Sequence, residues 1–252
     1  MICALMIGRR GSVNFVGKNI YRVLGRPMCA YPLMAANNCH FISETFVSTD
    51  SEQIAAVATQ LDATLIARPA ELATSTALGE QVFQHGYYEI KRRLALINES
   101  IELMVLLFAN APTVTSSLID SGIEMLLKDP DLDSAVSTSI YNMWSPLRAR
   151  RLDESGHLQP FVPFESFGDP ATLNCDRDSQ GDVYFADMSV SIVRPRCLEE
   201  LETGLLPQKW MGQRIAPIPS WGGCDVDYEW QMPGVETWLR QHGYTQASDS
   251  VS

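Results

Sequence analysis

The chain of 252 residues holds 19 Lys and Arg side chains against 30 Asp and Glu, which gives a formal net charge of −11. This acidic balance argues against nucleic acid or an anionic membrane surface as the main partner, because both need cations that neutralise phosphate. No apolar run approaches the roughly 20 residues that cross a bilayer, and six cysteines without a CxxC pair indicate free thiols in a reducing compartment. We therefore expect a soluble, cytoplasmic protein.

The charge is distributed unevenly along the chain. The first 43 residues contain five cations and no acid, so this segment carries +5 and the rest of the chain −16. A site for a small anion is therefore expected in the N-terminal segment.

Short β-like runs alternate with longer helical runs through the first 140 residues. This pattern predicts strands at 2–7, 45–48, 64–67, 102–108 and 135–140, and helices at 27–37, 51–60, 79–98 and 115–127. Such alternation is typical of βαβ units, so we expect an α/β protein with a three-layer, mostly parallel sheet.

The second half has a different texture, with many prolines and glycines and few periodic runs. Strand-like runs occur at 183–186, 190–194 and 214–219, the last resembling an edge strand, and a short helix is expected at 197–203. We expect one domain over 1–243, in which about 148–212 forms an arm that packs on a partner subunit. The tail at 244–252 is expected to be flexible.

The loop after the first predicted strand, at 8–19, reads GRRGSVNFVGKN. Ligands of such sheets bind at the carboxyl ends of strands, where this loop lies. It matches neither the GxGxxG of dinucleotide folds nor the GKS or GKT ending of a P-loop. Gly8 and Gly11 offer backbone N–H groups between the cations Arg9 and Lys18, a combination that suits polyphosphate. Taken alone, the loop is equally compatible with a surface turn.

Three segments together carry a family resemblance. The loop motif GRxGSxxxxGKN is followed by FVSTD at 46–50 and by RPAELA at 68–73, and the series resembles the acylneuraminate cytidylyltransferases, which make CMP-activated sialic, legionaminic or pseudaminic acids. The similarity covers most of the first 80 residues. It implies a Rossmann-like, GT-A-like nucleotidyltransferase with a dimerisation arm, CTP and a sugar acid as substrates, and a homodimer in which one subunit's arm completes the other's site.

The resemblance also assigns the nucleotide-binding residues by position. It implies that the triphosphate is held by the loop with Gly8, Arg9, Arg10, Gly11, Ser12 and Lys18, and the nucleoside by Asn19, Arg68 and the backbone near Ala77. Of these, Arg9 and Lys18 are expected to be catalytic through charge neutralisation.

The acceptor side is matched less closely. The motif SPLR at 145–148 resembles the family's HPLK, which implies that Arg148 meets the sugar carboxylate. Asn110, Arg177 and Tyr184 are further candidates for this side. The alternatives are that Arg148 is a solvent-facing cation and that the stretch around Arg177 serves only the dimer arm.

Two carboxylates near the C-terminus, Asp225 and Asp227, point to the same side of an extended segment because they are two residues apart. Hard oxygen ligands suit Mg²⁺, with Mn²⁺ as an alternative. Alone, the pair is equally typical of a solvated turn, but it stands in the position of the family's IDID. The resemblance therefore implies that both bind metal and that Asp227 is catalytic.

The sequence departs from the family pattern at three positions. Val13 stands where the family usually has Lys after the loop Ser, and Arg10 is a plausible substitute for that cation. Phe108 and Val114 stand where the family often has Gln and Arg, on the side that faces the acceptor sugar.

The interpretation is that the protein uses CTP to activate a nonulosonic acid, releasing pyrophosphate. Two alternatives remain. One is a cytidylyltransferase for 3-deoxy-manno-octulosonic acid, and the other is a non-catalytic relative that binds a nucleotide or a sugar.

Overall fold

The fold is an alternation of strands and helices, seen in a computed structural model that describes residues 1–12, 14–176 and 181–247. Its strands are β1 (Ile2–Gly8), β2 (Arg22–Val23), β3 (Arg26–Pro27), β4 (Glu44–Thr49), β5 (Thr64–Ala67), β6 (Leu103–Phe108), β7 (Ser134–Ile140), β8 (Arg150–Leu152), β9 (Leu158–Pro160), β10 (Tyr184–Val193) and β11 (Ile215–Pro219). Its helices are α1 (Ala30–Asn37), α2 (Glu52–Gln60), α3 (Gly79–Ala95), α4 (Ser116–Lys128), α5 (Pro195–Glu199) and α6 (Met232–Gln241). Within the described part of the chain, no helix combines the length and apolarity needed to span a membrane.

The central sheet has seven strands in the order β11-β7-β10-β6-β1-β4-β5. Strand β1 pairs in parallel with β4 and β6, and the pairs β4–β5 and β7–β11 are also parallel. Strand β10 alone is antiparallel to its neighbours β6 and β7. The mostly parallel α/β sheet predicted from the alternation is therefore confirmed.

Strand β1 shows how the sheet comes to lie between two helical layers. All seven of its residues are buried, and successive side chains enter opposite faces because the strand period is two. Ala4 and Met6 join the core beneath α1, α2 and α4, whereas Cys3 and Leu5 join the core beneath α3. Burying one leucine such as Leu5 contributes about 1.5–3 kcal/mol, so the apolar run at 2–7 is explained by burial on both faces.

The structure differs from the predicted elements at specific places. The runs predicted at 183–186 and 190–194 are one strand, β10, whose ladder with β7 shifts register between Ala186 and Ser191. The first helix begins at Ala30 and not at 27, because β2 and β3 form a small hairpin just before it. Strand β11 is an edge strand, as predicted.

The segment predicted as an arm, 148–212, lies partly outside and partly inside the central sheet. Residues 148–173 lie outside the central sheet as short 3-10 turns and the β8–β9 hairpin. Strand β10 lies inside the sheet, and α5 packs against α3. Residues 244–247, the start of the tail expected to be flexible, make specific contacts: the Arg26 guanidinium donates to the Thr245 carbonyl at 2.8 Å, and the Ala247 N–H donates to Leu24.

Helix α6 was not predicted, although the sequence carries its signal. Pro233 lies in the first turn, where its missing N–H costs nothing. Val235, Trp238 and Leu239 are spaced for one helix face, and all three are buried in a third core cluster with Tyr31. The same cluster includes Val226, so α6 packs behind the segment that carries the two C-terminal aspartates.

Asp133 ties the start of β7 to the turn before β11. Its carboxylate accepts the backbone N–H groups of Gln213 and Arg214, both at 2.9 Å, and the Nε–H of Arg196 at 2.7 Å. Burial raises the pKa of this carboxyl, but the hydrogen bonds outweigh it and the pKa lies below the ordinary value.

We predict that Asp133→Asn lowers the free energy of unfolding by about 1–3 kcal/mol at neutral pH, because charge-assisted hydrogen bonds are lost. Since the pKa of the folded state is depressed, this stabilisation is present above the unfolded pKa of about 3.9 and is lost as the pH falls through the folded value. Urea unfolding at about pH 7 and pH 3 measures both effects. Asp131→Asn is the control, because Asp131 is 73% exposed and its one ion pair is 3.4 Å long. An equal loss in both variants would contradict this prediction.

Candidate active site

The loop that follows β1 is folded tightly against the end of the sheet. A Cβ at Gly8 would lie 2.6 Å from the Cβ of Ala109, so only glycine fits where β1 ends beside β6. The buried Asn19 donates from Nδ2 to the Arg9 carbonyl at 3.0 Å, which closes the loop on itself. Gly17 has a φ of 73° and starts the 3-10 turn 18–20, a conformation that favours glycine.

A cavity of about 400 Å³ opens between this loop and the carboxyl ends of β1 and β6. Ligands of open α/β sheets bind at this edge. The cavity collects ten of the residues predicted to bind nucleotide, sugar or metal: Gly8, Arg9, Gly11, Ser12, Lys18, Asn19, Arg68, Ala77, Asn110 and Asp227. Their common location, from segments more than 200 residues apart in the chain, makes the cavity the candidate site.

Asn19 presents an unused acceptor at this site. Its Oδ1 atom is buried and has no hydrogen-bond partner among the described residues, while its Nδ2 donates to the Arg9 carbonyl. A buried acceptor left unpaired costs about 1–3 kcal/mol. A ligand hydroxyl or amine that donates to Oδ1 would remove this cost.

Arg68 is half-buried and anchored on the sheet. Its guanidinium donates to the backbone carbonyl of Ser48 and, at 3.3 Å, to the Ser48 hydroxyl. Burial lowers the pKa of Arg68 to about 10, opposed by the nearby carboxylate of Asp50. The side chain therefore stays charged at neutral pH, with its orientation fixed by β4 and with further N–H donors available to a ligand.

The loop after β1 meets the C-terminal carboxylates across the cavity. The Lys18 ammonium lies 2.5 Å from Asp227 Oδ1, and the two side chains are 14% and 52% exposed. The pKa of Asp225 is raised by burial and, next, by the negative charge of Asp227. The two carboxylates thus repel each other, and among the described residues only Asp227 forms an ion pair.

This donor set fits a divalent cation. Two carboxylates on one extended segment supply hard oxygen ligands, and a cation between them would relieve the repulsion that raises the pKa of Asp225. The described residues contain no group of three or more His, Cys, Asp and Glu side chains arranged to hold a metal. A metal here would therefore complete its shell with water or with ligand oxygens.

Asn110 has a role that the sequence did not suggest. It was predicted to face the acceptor, and it does line the cavity. It also exchanges two hydrogen bonds with Val226: the Val226 N–H donates to the Asn110 carbonyl at 2.8 Å, and Asn110 Nδ2 donates to the Val226 carbonyl at 3.0 Å. Asn110 therefore fixes the residue that lies between the two carboxylates.

Several predicted residues do not line the cavity. Arg10 lines only a smaller, neighbouring cavity of about 30 Å³, which shares Arg9, Ser12, Lys18 and Asn19 with the larger one, and its backbone N–H donates to Asp50 at 2.9 Å. Residue 13 lies outside the described residues, so the substitution of its cation by Arg10 stays a prediction. Asp225 is next to the cavity but not among its lining residues.

The remaining acceptor-side candidates lie in the second half of the chain. Arg148 donates to the Cys175 carbonyl at 2.6 Å, away from the cavity lining. Tyr184 is exposed at the start of β10 and pairs with Ile140. Arg177 falls outside the described residues. Among the described residues, Arg148 and Tyr184 are thus not gathered with the residues that line the cavity.

One wall of the cavity is apolar and was not predicted. It consists of Ile7, Leu72, Val82 and Phe108, with the Phe108 ring packed edge-on against Phe83 at a centroid distance of 5.1 Å. The only sequence signal was the presence of Phe108 at a position where related sequences often carry Gln. The wall gives the cavity one surface for a flat or apolar part of a ligand, opposite the charged loop.

Comparison with characterised proteins gives partial matches of moderate identity. The chain is 34% identical over 85 residues to N-acylneuraminate cytidylyltransferase of Escherichia coli O18:K1:H7, and 40% identical over 77 residues to CMP-N,N'-diacetyllegionaminic acid synthase of Legionella pneumophila. It is 25% identical over 134 residues to 3-deoxy-manno-octulosonate cytidylyltransferase of Bdellovibrio bacteriovorus. The Escherichia coli match covers 34% of this chain and 20% of the relative, the Legionella pneumophila match 30% and 33%, and the Bdellovibrio bacteriovorus match 53% and 49%. The chain therefore spans about half or less of the length of these relatives.

The fold is shared with solved structures over nearly the whole chain. A CMP:2-keto-3-deoxy-manno-octonic acid synthetase solved with CTP superposes with a TM-score of 0.64 at 13% identity, covering 96% of this chain and 99% of the other. A sequence model described as cytidylyltransferase matches residues 3–190, a span that runs from β1 through most of β10 and includes the loop, Arg68 and Asn110. By this match, the chain belongs to the cytidylyltransferase family.

Proposed function

We propose that the protein transfers CMP from CTP to a nonulosonic acid of the sialic, legionaminic or pseudaminic type. The observation that carries the proposal is the single cavity in which Arg9, Lys18, Asn19, Arg68 and Asp227 converge. Family membership over residues 3–190 supports the same reaction class. The anomeric hydroxyl attacks the α-phosphorus of CTP, the bond from that phosphorus to the bridging oxygen breaks, pyrophosphate leaves, and the hydroxyl proton passes to water.

The residues of the chain act mainly by positioning and by neutralising charge. Arg9 and Lys18 bind the triphosphate and stabilise the charge that develops on the leaving pyrophosphate. The orphaned Asn19 Oδ1 accepts from a ribose hydroxyl. Arg68 donates to the acceptor edge of the cytosine, and the wall with Phe108 contacts the face of the ring.

Asp225 and Asp227 would hold Mg²⁺, or Mn²⁺ in its place. The bound ion would neutralise phosphate charge and lower the pKa of the attacking hydroxyl. The ion pair between Lys18 and Asp227 supports this proposal, because it brings a phosphate-binding cation next to a metal-binding carboxylate.

A second candidate acceptor is 3-deoxy-manno-octulosonic acid. It is favoured by the Bdellovibrio bacteriovorus relative, which matches a longer stretch of the chain than the other two. The reaction is the same and only the acid differs, so one assay compares both.

We expect pyrophosphate release when the protein is incubated with CTP, Mg²⁺ and a panel of nonulosonic acids, with less release from 3-deoxy-manno-octulosonic acid. Asp227→Asn should lower kcat about 100-fold or more, because a carboxylate that would hold the metal ion at the phosphates is lost. Glu229→Gln is the control, since Glu229 is an exposed carboxylate two residues away. If none of the acids gave pyrophosphate release, the result would contradict the proposed reaction and favour a non-catalytic binding protein.

Adjacent arginines allow the phosphate-binding role to be tested. We predict that Arg9→Ala raises the KM for CTP about tenfold or more, because Arg9 lines the cavity and a cation contacting phosphate is lost. Arg10→Ala should change KM less than threefold, because Arg10 lines the smaller cavity. Steady-state kinetics with varied CTP measure both values. If Arg10→Ala had the larger effect, Arg10 would be the cation that replaces the one absent at 13.

We also propose a cytoplasmic homodimer that forms through the segment outside the sheet. Leu152 and Leu158 pair across the β8–β9 hairpin and are 68% and 69% exposed, and Met143, Trp144 and Phe161 nearby are also exposed. An exposed apolar surface of this kind is typical of an interface. The cytoplasmic location is supported by the six cysteines, which are all free.

The dimer is tested by sedimentation at micromolar concentration. We expect Leu158→Asp to give monomers with lower cytidylyltransferase activity, because the substitution places a charge in the interface. Leu96→Asp is the control, because Leu96 is 78% exposed after α3 and distant in the chain from the hairpin. A dimer that persists in Leu158→Asp would place the interface elsewhere.

A further inference from the structure

An irregularity in strand β10 directs the side chain of Asp187 into the protein interior. The β7–β10 ladder is regular up to Ala186 and again from Ser191, and Met188 between them has a φ of 63°. A bulge of this kind re-aims a side chain. Here the side chain is that of Asp187, which is 5% exposed.

Three hydrogen bonds satisfy the buried Asp187 carboxylate. Oδ1 accepts from the Ser137 hydroxyl at 2.5 Å and from the Ser189 N–H at 3.1 Å, and Oδ2 accepts from the Ser139 hydroxyl at 2.8 Å. Burying a charge is costly unless such bonds are made. The carboxylate therefore holds both the bulge and the two inward serines of β7 in place.

The carboxylate also fixes the direction of the Ser139 hydroxyl. A carboxylate only accepts, so Ser139 uses its single hydrogen toward Asp187 and leaves its lone pairs as acceptors. The Gly223 N–H donates to this oxygen at 3.2 Å, and the Tyr141 hydroxyl donates to the Gly223 carbonyl at 2.9 Å. Both polar groups of Gly223 are thus bonded to β7 or to the residue that follows it.

The close contact between Gly223 and Asp187 also restricts the space for a side chain. A Cβ on Gly223 would lie 2.3 Å from Asp187 Oδ2 and 2.5 Å from its Cγ. No side chain fits there without displacing the carboxylate. The chain therefore passes directly over Asp187 just before it reaches the two aspartates of the site.

A second hydroxyl fixes the next residue. The Cys224 N–H donates to Thr113 Oγ1 at 2.9 Å, and this oxygen also shares a 2.9 Å hydrogen bond with the hydroxyl of Ser189, the bulge residue whose N–H binds Asp187. With Val226 bonded to Asn110, three of the residues around Asp225 and Asp227 are held by the sheet.

We propose that Asp187 is a positioning residue for the metal-binding carboxylates. Through Ser139 and, by way of Ser189, through Thr113, it fixes the backbone at Gly223 and Cys224 and so sets where Asp225 and Asp227 project. Asp187 does not touch substrate; it acts through this hydrogen-bonded network, which connects the bulge of β10 to the candidate site. The inference rests on the proposed function for its kinetic consequence, but the network itself is independent of the reaction.

Two matched pairs of variants test the proposal. Ser139→Ala removes the acceptor of the Gly223 N–H, and Ser134→Ala removes an equally buried hydroxyl of the same strand, which donates to the Met211 carbonyl at 2.6 Å and not to Asp187. Thr113→Val removes the hydroxyl while keeping the side-chain shape, and Thr113→Ser keeps the hydroxyl. The second pair serves even if Ser139→Ala fails to fold.

Amide hydrogen exchange is the first measurement and needs neither metal nor substrate. We expect exchange in the 222–227 segment to rise about tenfold or more in Ser139→Ala and Thr113→Val, and less than threefold in Ser134→Ala and Thr113→Ser. Equal changes in the members of each pair would overturn the proposal, because they would show general destabilisation only.

Metal binding and kinetics give the second measurement. Titration with Mn²⁺, followed by the electron paramagnetic resonance of the free ion, should show at least fivefold weaker binding in Ser139→Ala and Thr113→Val. In the CTP assay these two variants should lose about tenfold in kcat with KM for CTP changed less than threefold, and Thr113→Ser should recover most of the rate.

The two proposals fail differently. If the wild-type protein releases no pyrophosphate, the proposed function is wrong while hydrogen exchange and Mn²⁺ binding still decide the role of Asp187. If the wild type is active and both Ser139→Ala and Thr113→Val bind Mn²⁺ and turn over normally, the positioning role is wrong.

Discussion

The candidate site depends on contact between two loops that lie near opposite ends of the amino-acid sequence. Lys18 and Asp227 are separated by 209 positions, yet their side chains meet at 2.5 Å. A pair with one partner half exposed contributes little to stability, about 0–1 kcal/mol. The ion pair therefore results from this arrangement and does not hold it. What holds it is buried: the Gly8 backbone lies against Ala109, and residues 223–226 are bonded to Ser139 of β7 and to Asn110 and Thr113, which follow β6.

The antiparallel strand explains how the sheet supports the second loop. A parallel strand brings its last residues to the ligand-binding edge, whereas β10 brings its first ones, because it runs against β6 and β7. Its bulge consequently lies near the carboxyl ends of the parallel strands, beneath the 223–227 segment. Helix α6 covers the other side of that segment, where Trp238 donates to the Trp221 carbonyl at 2.8 Å. The two carboxylates thus project from a segment that is packed on both sides.

Local patterns were sufficient to predict the strands and helices around β1, because burial on both faces produces continuous apolar runs and the intervening helices have clear caps. Ser51 and Thr115 each accept a backbone N–H at the start of α2 and α4, respectively. Most residues that line the cavity were predictable because they lie in contiguous motifs. The bulge at Asp187 was not, since its left-handed residue is Met188 and no glycine or asparagine marks it. Asn110 was assigned to the acceptor because sequence spacing does not reveal a hydrogen bond to Val226, 116 positions away.

The positions of individual charges in the structure change what the acidic net charge implies about ligands. Arg9 and Lys18 line one cavity with Asp227, so the cationic N-terminal segment is locally matched against carboxylates of the acidic remainder. The negative charge of Asp227 contributes to the rise in the pKa of Asp225. A polyanion entering alone would add to this repulsion, whereas one that brings a divalent cation would reduce it. The cavity is therefore electrostatically suited to a metal-bound nucleotide, and the overall charge of −11 does not oppose that ligand, because fields within a few ångströms outweigh distant, screened charges.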